Sequence, residues 1–173
     1  VGSGCVRPFE AHLSVGTTGW ISCPGPFKKT DVLNQVASVP GIGDGHYVLA
    51  NNQDNAGRCL GWFRDTLTGF GAPVSFEDLL ALAGTAAPGS GGALFTPWLT
   101  GERSTLDDRN VRAGFHNVGM QTGSAELARA VLEGVAFNAR LLLEVSERFA
   151  GRRFEPLRMV GGGARSDLWC QIV

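Results

Sequence analysis

The chain has 173 residues, 43% of them hydrophobic and 18% charged, with a formal net charge of −1. That is enough for one domain with a real core. The charge gives no electrostatic reason to expect nucleic acid or an anionic membrane as partner. No apolar run approaches a membrane span and no signal segment opens the chain, so the expected setting is cytoplasmic.

Taken in chain order, residues 9–15 read as a strand, followed by Gly16-Thr17-Thr18-Gly19 and a second strand over 20–23. Two short apolar runs around a Gly/Thr turn predict a β-hairpin. Residues 24–45, rich in Pro, Gly and Lys, read as a loop. A short strand at 47–50 and a helix over 54–67 follow. Ser75 is a good N-cap for the next helix, and Glu77 and Asp78 suit its positive end. That helix stops near Gly84, before a loop over 88–92 and a strand over 93–99.

Residues 101–123 read as irregular and charged. The strongest element is a helix over 124–149, in which Leu127, Val131, Val135, Leu142 and Val145 form a buried stripe. A strand over 153–160 then leads into Gly161-Gly162-Gly163 and a new helix capped by Ser166. Strands alternating with helices predict an α/β domain. Val1-Gly2-Ser3-Gly4 reads as mid-chain and residues 166–173 as a helix barely begun, so the expectation is a piece of a longer protein, incomplete at both ends.

Several places could carry chemistry. Gly161 to Ser166 joins a strand to a helix, where main-chain N–H groups favour an anion or nucleotide; a tight turn explains the glycines equally. The hydroxyls of Thr17 and Thr18 could wrap phosphate oxygens, or the segment could be only a hairpin turn. Gly57 and Gly61 share a helix face, at a cost of about 1 kcal/mol each against Ala. Either a second helix or a ligand could fill that smooth strip. Glu102, Arg103, Asp107, Asp108, Arg109 and Arg112 read as a solvated salt-bridge network or a cleft edge. His12, His46 and His116, and Cys5, Cys23, Cys59 and Cys170, lack metal-ligand spacing, so no metal site of protein ligands is expected.

Five stretches together resemble the C-terminal domain of the FGGY family of carbohydrate kinases. They are residues 12–20 (HLSVGTTGW), 56–65 (AGRCLGWFRD), 97–103 (PWLTGER), 128–137 (ARAVLEGVAF) and 160–169 (VGGGARSDLW). They occur in the family's order and span nearly the whole chain. The Gly101-Glu102-Arg103 segment is most similar to the xylulose-kinase-like group, although Ser104-Thr105 stands where Thr-Pro is common.

The resemblance implies an actin-like ATPase fold, a ribonuclease-H-like lobe with a mixed sheet and packed helices. It implies an ATP-dependent carbohydrate kinase using Mg²⁺, with a sugar or polyol as substrate and an N-terminal lobe as partner across the cleft. It places the second phosphate loop at Gly16, Thr17 and Thr18, and nucleotide contacts at Gly57, Gly162, Gly163 and Asp167. Where relatives carry a polar nucleotide contact, this chain has Gly61. The helix containing residues 128–137 is similar to the family's connecting helix, a structural role. No catalytic residue is expected in the chain, because the family's base lies upstream of Val1. Two other expectations remain open: a non-catalytic actin-like binding or regulatory module, and a dinucleotide-binding protein using the turn at Gly161 to Ser166.

Overall fold

A computed structural model describes residues 2–69, 71, 73–104 and 106–173; Val1 and Thr105, singled out above, lie outside them. A six-stranded sheet has the order β3-β4-β5-β2-β1-β8. Its strands are β1 (Ala11–Val15), β2 (Gly19–Gly25), β3 (Thr30–Asp31), β4 (Val36–Pro40), β5 (Tyr47–Gln53) and β8 (Leu157–Val160). β8 runs parallel to β1, and the other neighbours are antiparallel. A separate two-stranded antiparallel sheet pairs β6 (Leu94–Thr96) with β7 (Gly114–His116). The helices are α1 (Gly57–Thr68), α2 (Phe76–Thr85), α3 (Ser124–Ala150) and α4 (Asp167–Ile172). The α/β architecture with a mixed sheet and packed helices is the one expected.

Alternation decides which sheet face is buried. Ala11, Leu13 and Val15 of β1 and Ile21 and Cys23 of β2 point into the core, joined by Val36 and Leu49. α3 lies against this face and packs in turn against α1, α2 and β6. The opposite face carries His12, Ser14 and Ser22, half-buried, and Trp20, exposed. The period-two pattern that builds each strand thus separates a helix-covered face from an open one.

Residues 24–45 are not a loop as expected; they contain β3 and β4. Their Pro residues sit where a ladder tolerates them, Pro24 opposite Val48 near the end of β2 and Pro40 ending β4. Within residues 101–123, read as irregular, β7 pairs with β6. The expected helix start at residue 54 moves to Gly57: Ala56 has a non-helical backbone (φ −135°, ψ −102°), and the amides of Ala56 and Gly57 bond the β1–β2 turn. Ser75 caps α2 as expected: its hydroxyl accepts from the Asp78 amide while the Asp78 carboxylate accepts from the Ser75 amide.

α3 is more buried than a one-sided stripe predicts. Every residue from Ala128 to Ala136 is buried, including the Arg129–Glu133 ion pair at 2.7 Å. Glu133 also accepts from the Gly89 amide and the Ser90 hydroxyl, and Arg129 donates to the Ala86 carbonyl. The pair thereby clamps the Pro88–Gly92 loop onto the helix, and its charges are satisfied as burial requires. Gly151, at φ 72°, ends the helix in the left-handed region.

At Gly134 a Cβ would collide with the Phe95 main chain, 3.0 Å from its carbonyl carbon. Helix propensity alone favours Gly134→Ala by about 1 kcal/mol. Overpacking against immovable backbone costs about 1–3 kcal/mol. Gly134→Ala is therefore expected to lower stability, as read by urea denaturation; a stabilised variant would show that β6 yields.

Candidate functional site

Strand register gathers the glycine-rich segments at one end of the sheet. Val15 pairs with Gly19, Gly19 with Gln53, and Ser14 with Val160. The tip of the β1–β2 hairpin, the end of β5 and the turn after β8 therefore share one edge, where α/β sheets hold ligands. A cleft of about 570 Å³ opens there. Its walls come from four places: the hairpin tip (Gly16, Thr17), α1 (Gly57, Arg58, Gly61), α2 (Phe76, Glu77, Leu80) and the turn into α4 (Gly162, Gly163, Arg165, Ser166).

Of the expected contact residues, Gly16, Thr17, Gly57, Gly162 and Gly163 line this cleft. Thr18 and Asp167 do not. The Thr18 hydroxyl accepts from the Trp20 indole N–H at 3.0 Å, on the open face of the sheet. Asp167 is exposed on the first turn of α4, and its neighbour Ser166 takes the lining position. Ser166 also caps α4 by accepting from the Trp169 amide at 3.2 Å.

The glycines of the cleft divide by what surrounds them. At Gly57 a Cβ would stand 2.6 Å from the Gly16 carbonyl oxygen, at Gly161 2.7 Å from that of Val15, and at Gly163 2.7 Å from the Val15 side chain. Gly57 and Gly161 are needed so that backbone can approach backbone, and Gly163 so that its turn can pack on the Val15 side chain. Gly57 seats α1 on the hairpin: its amide donates to the Gly16 carbonyl at 2.7 Å, while Ala56 and Arg58 donate to the Thr17 carbonyl. The first donors of α1 are thereby spent on the fold.

Gly16, Gly61 and Gly162 differ. A Cβ would meet Thr18 O at 3.7 Å, Phe76 Cζ at 3.9 Å and nothing within 4 Å, respectively, and none of them has positive φ. The protein does not require glycine at these places, yet all three face the cleft. Arg58 and Arg165 stand exposed on its rim.

A polar cluster adjoins the cleft at the end of β5. Glu102, 1% exposed, accepts from the Asp54 and Arg103 amides through Oε1 and from Asn138 Nδ2 at 2.9 Å through Oε2. Burial pushes its carboxyl above the ordinary 4.5, and these hydrogen bonds recover part of the shift. Arg103 bridges Asn52 Oδ1 at 3.0 Å and Asp54 Oδ1 at 3.3 Å. The charged stretch, read as a solvated salt-bridge network or a cleft edge, divides between burial and solvent. Glu102 is a buried anchor, Arg103 pairs with Asp54, and Arg112 donates to the carbonyls of Arg109 and Val111. Patterning did not reveal Glu102 as buried, because a carboxylate flanked by charges has the signature of surface.

The model of the FGGY family of carbohydrate kinases, C-terminal domain, matches residues 11–173. The chain belongs to the FGGY family. It is 32% identical to a xylulose kinase of Staphylococcus epidermidis over 99% of the chain and 34% of that protein. It is 30% identical to a gluconokinase of Bacillus subtilis over 100% of the chain and 35% of that protein. The crystal structure of a ligand-bound xylulose kinase from Lactobacillus acidophilus superposes with a TM-score of 0.84 at 30% identity, covering 99% of the chain and 34% of that structure. The chain thus spans about a third of the length of the relatives it matches. Membership of the FGGY family, with the β8-turn-α4 segment inside the matched domain, leaves no support for the dinucleotide-binding expectation.

The division of the glycines is expected to appear in melting temperatures. Gly61→Ala should stabilise by up to about 1 kcal/mol through helix propensity, while Gly57→Ala should destabilise by driving a methyl group into the Gly16 carbonyl. Equal effects on thermal melts would remove the distinction.

A second outcome concerns Glu102. A carboxyl raised by folding holds its proton more tightly in the folded state, so stability falls as pH rises from 4.5 through the folded value. Glu102→Gln removes that loss. Melting temperatures from about pH 4 to pH 8 should show the variant gaining on wild type as pH rises, then levelling. A pH-independent difference would place the titration elsewhere.

Proposed function

We propose that this chain forms the nucleotide-binding lobe of an ATP-dependent carbohydrate kinase, which transfers a phosphoryl group to a hydroxyl of a ketose or related polyol. The observation that carries the proposal is the cleft. Three of its glycines, Gly16, Gly61 and Gly162, are not demanded by the fold and leave backbone open to a flat or phosphorylated ligand. The names of the relatives, xylulose kinase and gluconokinase, supply the acceptor class.

The residues divide the work by position. The Thr17 side chain is exposed at the cleft lip, with its carbonyl already committed to α1, and its hydroxyl donates to phosphate oxygens. Gly162 and Gly163 admit the adenosine, Gly163 packing on Val15 beneath while Gly162 stays open. Gly57 shapes the floor by bringing α1 against the hairpin. Leu60, Phe76 and Leu80 make that floor apolar, as small-molecule sites require.

When bound, ATP supplies the transferable phosphoryl group, and Mg²⁺ neutralises charge developing on it. Among the described residues no three His, Cys, Asp or Glu side chains gather as a metal site, and we assign no Mg²⁺ ligand to this chain. The opposite lobe, and the base that takes the acceptor proton, are supplied from outside these residues.

Thr17→Ala tests the assignment in the protein that carries this chain. A donor aimed at the transferring group matters more in the transition state than in the ground state. Turnover should fall at least about tenfold, with the ATP Kd from calorimetry changing less. Unchanged turnover would rule out this role for Thr17.

A further inference from the structure

The end of the cleft away from Thr17 is a slot between two helices. From Gly57, which seats α1 on the hairpin, Gly61 lies just over one helix turn further on, about 6 Å. Phe76 of α2 faces it, with Cζ 3.9 Å from where a Gly61 Cβ would stand. The Arg64 guanidinium sits 4.2 Å from the centre of the Phe76 ring and holds it there. Leu60 and Leu80 complete apolar walls. A flat purine fits such a slot by stacking and apolar contact.

Nothing in the slot is built to read the edge of that purine. Among the described residues lining the cleft, no buried side chain offers a spare donor or acceptor. The buried Trp169 indole N–H is spent on the Leu132 carbonyl at 3.3 Å. Thr17, Arg58, Glu77 and Arg165 are exposed, and Ser166 is half-buried with its oxygen on the Trp169 amide. The main chain at Gly61 lies inside α1, its groups bonded along the helix. An exposed group that loses its partner on the base finds water instead, so it discriminates weakly. Rejection by about 10⁴-fold needs buried polar groups left unpaired. Glu77 does not separate the purines either, because adenine and guanine both carry an exocyclic amine that can donate to it.

The slot is also open beyond the base. A second hollow, of about 540 Å³, is lined by Trp62, Asp65 and Thr66 and shares Arg58 and Gly61 with the cleft. Trp62 is 39% exposed there. Gly61 puts no side chain between the two spaces.

We infer that the cleft selects its phosphoryl donor by the triphosphate and by stacking, leaves the edge of the base unread, and is kept open at the base end by Gly61. The donor class is then purine nucleoside triphosphates at large, including those enlarged at the exocyclic amine. That a nucleotide occupies the cleft rests on the kinase proposal; the breadth of the donor class rests on Gly61 and the unread edge.

The test uses the protein that carries this chain, with ATP, GTP and ATP benzylated on its exocyclic amine as donors, and xylulose, gluconate or glycerol as acceptor. The three donors should give kcat/KM values within about tenfold of one another. A larger preference for ATP over either alternative overturns the inference. In Gly61→Leu the new side chain stands between cleft and hollow, so the benzylated donor should lose at least about tenfold relative to ATP in the same variant. That ratio does not move with a general loss of activity or of folded protein, and an unchanged ratio overturns the role of Gly61. If wild type transfers from none of the donors, the kinase proposal fails separately. Calorimetry of the three triphosphates then decides: Kd values within about tenfold sustain the open base end, while no binding or a stronger preference for ATP overturns it.

Discussion

The clasp between the β1–β2 hairpin and α1 is the constraint on which the rest depends. Three consecutive amides, from Ala56 to Arg58, donate to the carbonyls of Gly16 and Thr17. A helix start normally needs a side-chain cap for these donors, and Ala56 offers none. The hairpin tip acts as the cap. This single contact sets the height of α1 over the sheet, and therefore the depth of the cleft between α1, α2 and the turn after β8. It also presents the Thr17 side chain outward, because the Thr17 carbonyl is held inward.

The sequence made the architecture legible wherever one side of an element meets water. The hairpin of β1 and β2, the capping box of α2 and the long α3 all follow from local pattern. Reading failed where context overrides composition. Pro24 and Pro40 made the end of β2 and all of β3 and β4 look like a loop, although each proline sits at or next to the end of its strand. The Ala128 to Ala136 segment looked one-sided because Arg129 and Glu133 suggest solvent, yet their mutual pairing lets both be buried. A pattern rule cannot see a partner on another element.

The candidate site was legible in a different sense. The glycines were visible as a list, and the resemblance arranged them around a nucleotide, but neither could say which glycines the fold itself demands. Gly57, Gly161 and Gly163 answer to backbone and side-chain contacts within the chain. The resemblance placed Thr18 and Asp167 with them, and the fold sets both off the cleft lining, because successive side chains diverge at a hairpin tip and at a helix start. Glu102 and its network could have been suspected only from the way residue 54 and residue 103 come together, which is tertiary information.

The two glycines of α1 bring these strands together. Each lowers helix stability by about 1 kcal/mol relative to Ala. At Gly57 the clasp returns that loss through three main-chain hydrogen bonds. At Gly61 nothing in the chain returns it: the nearest atom to a Cβ would be 3.9 Å away, on a Phe76 ring that is itself exposed. A loss that the fold does not recover points to something outside the fold, and Gly61 lies on the floor of the cleft. The same logic applies to Glu102, whose buried charge is better explained by what it holds in place than by what it contributes to stability. Gly61 and Glu102 thus carry their costs at the same end of the sheet, where the cleft opens.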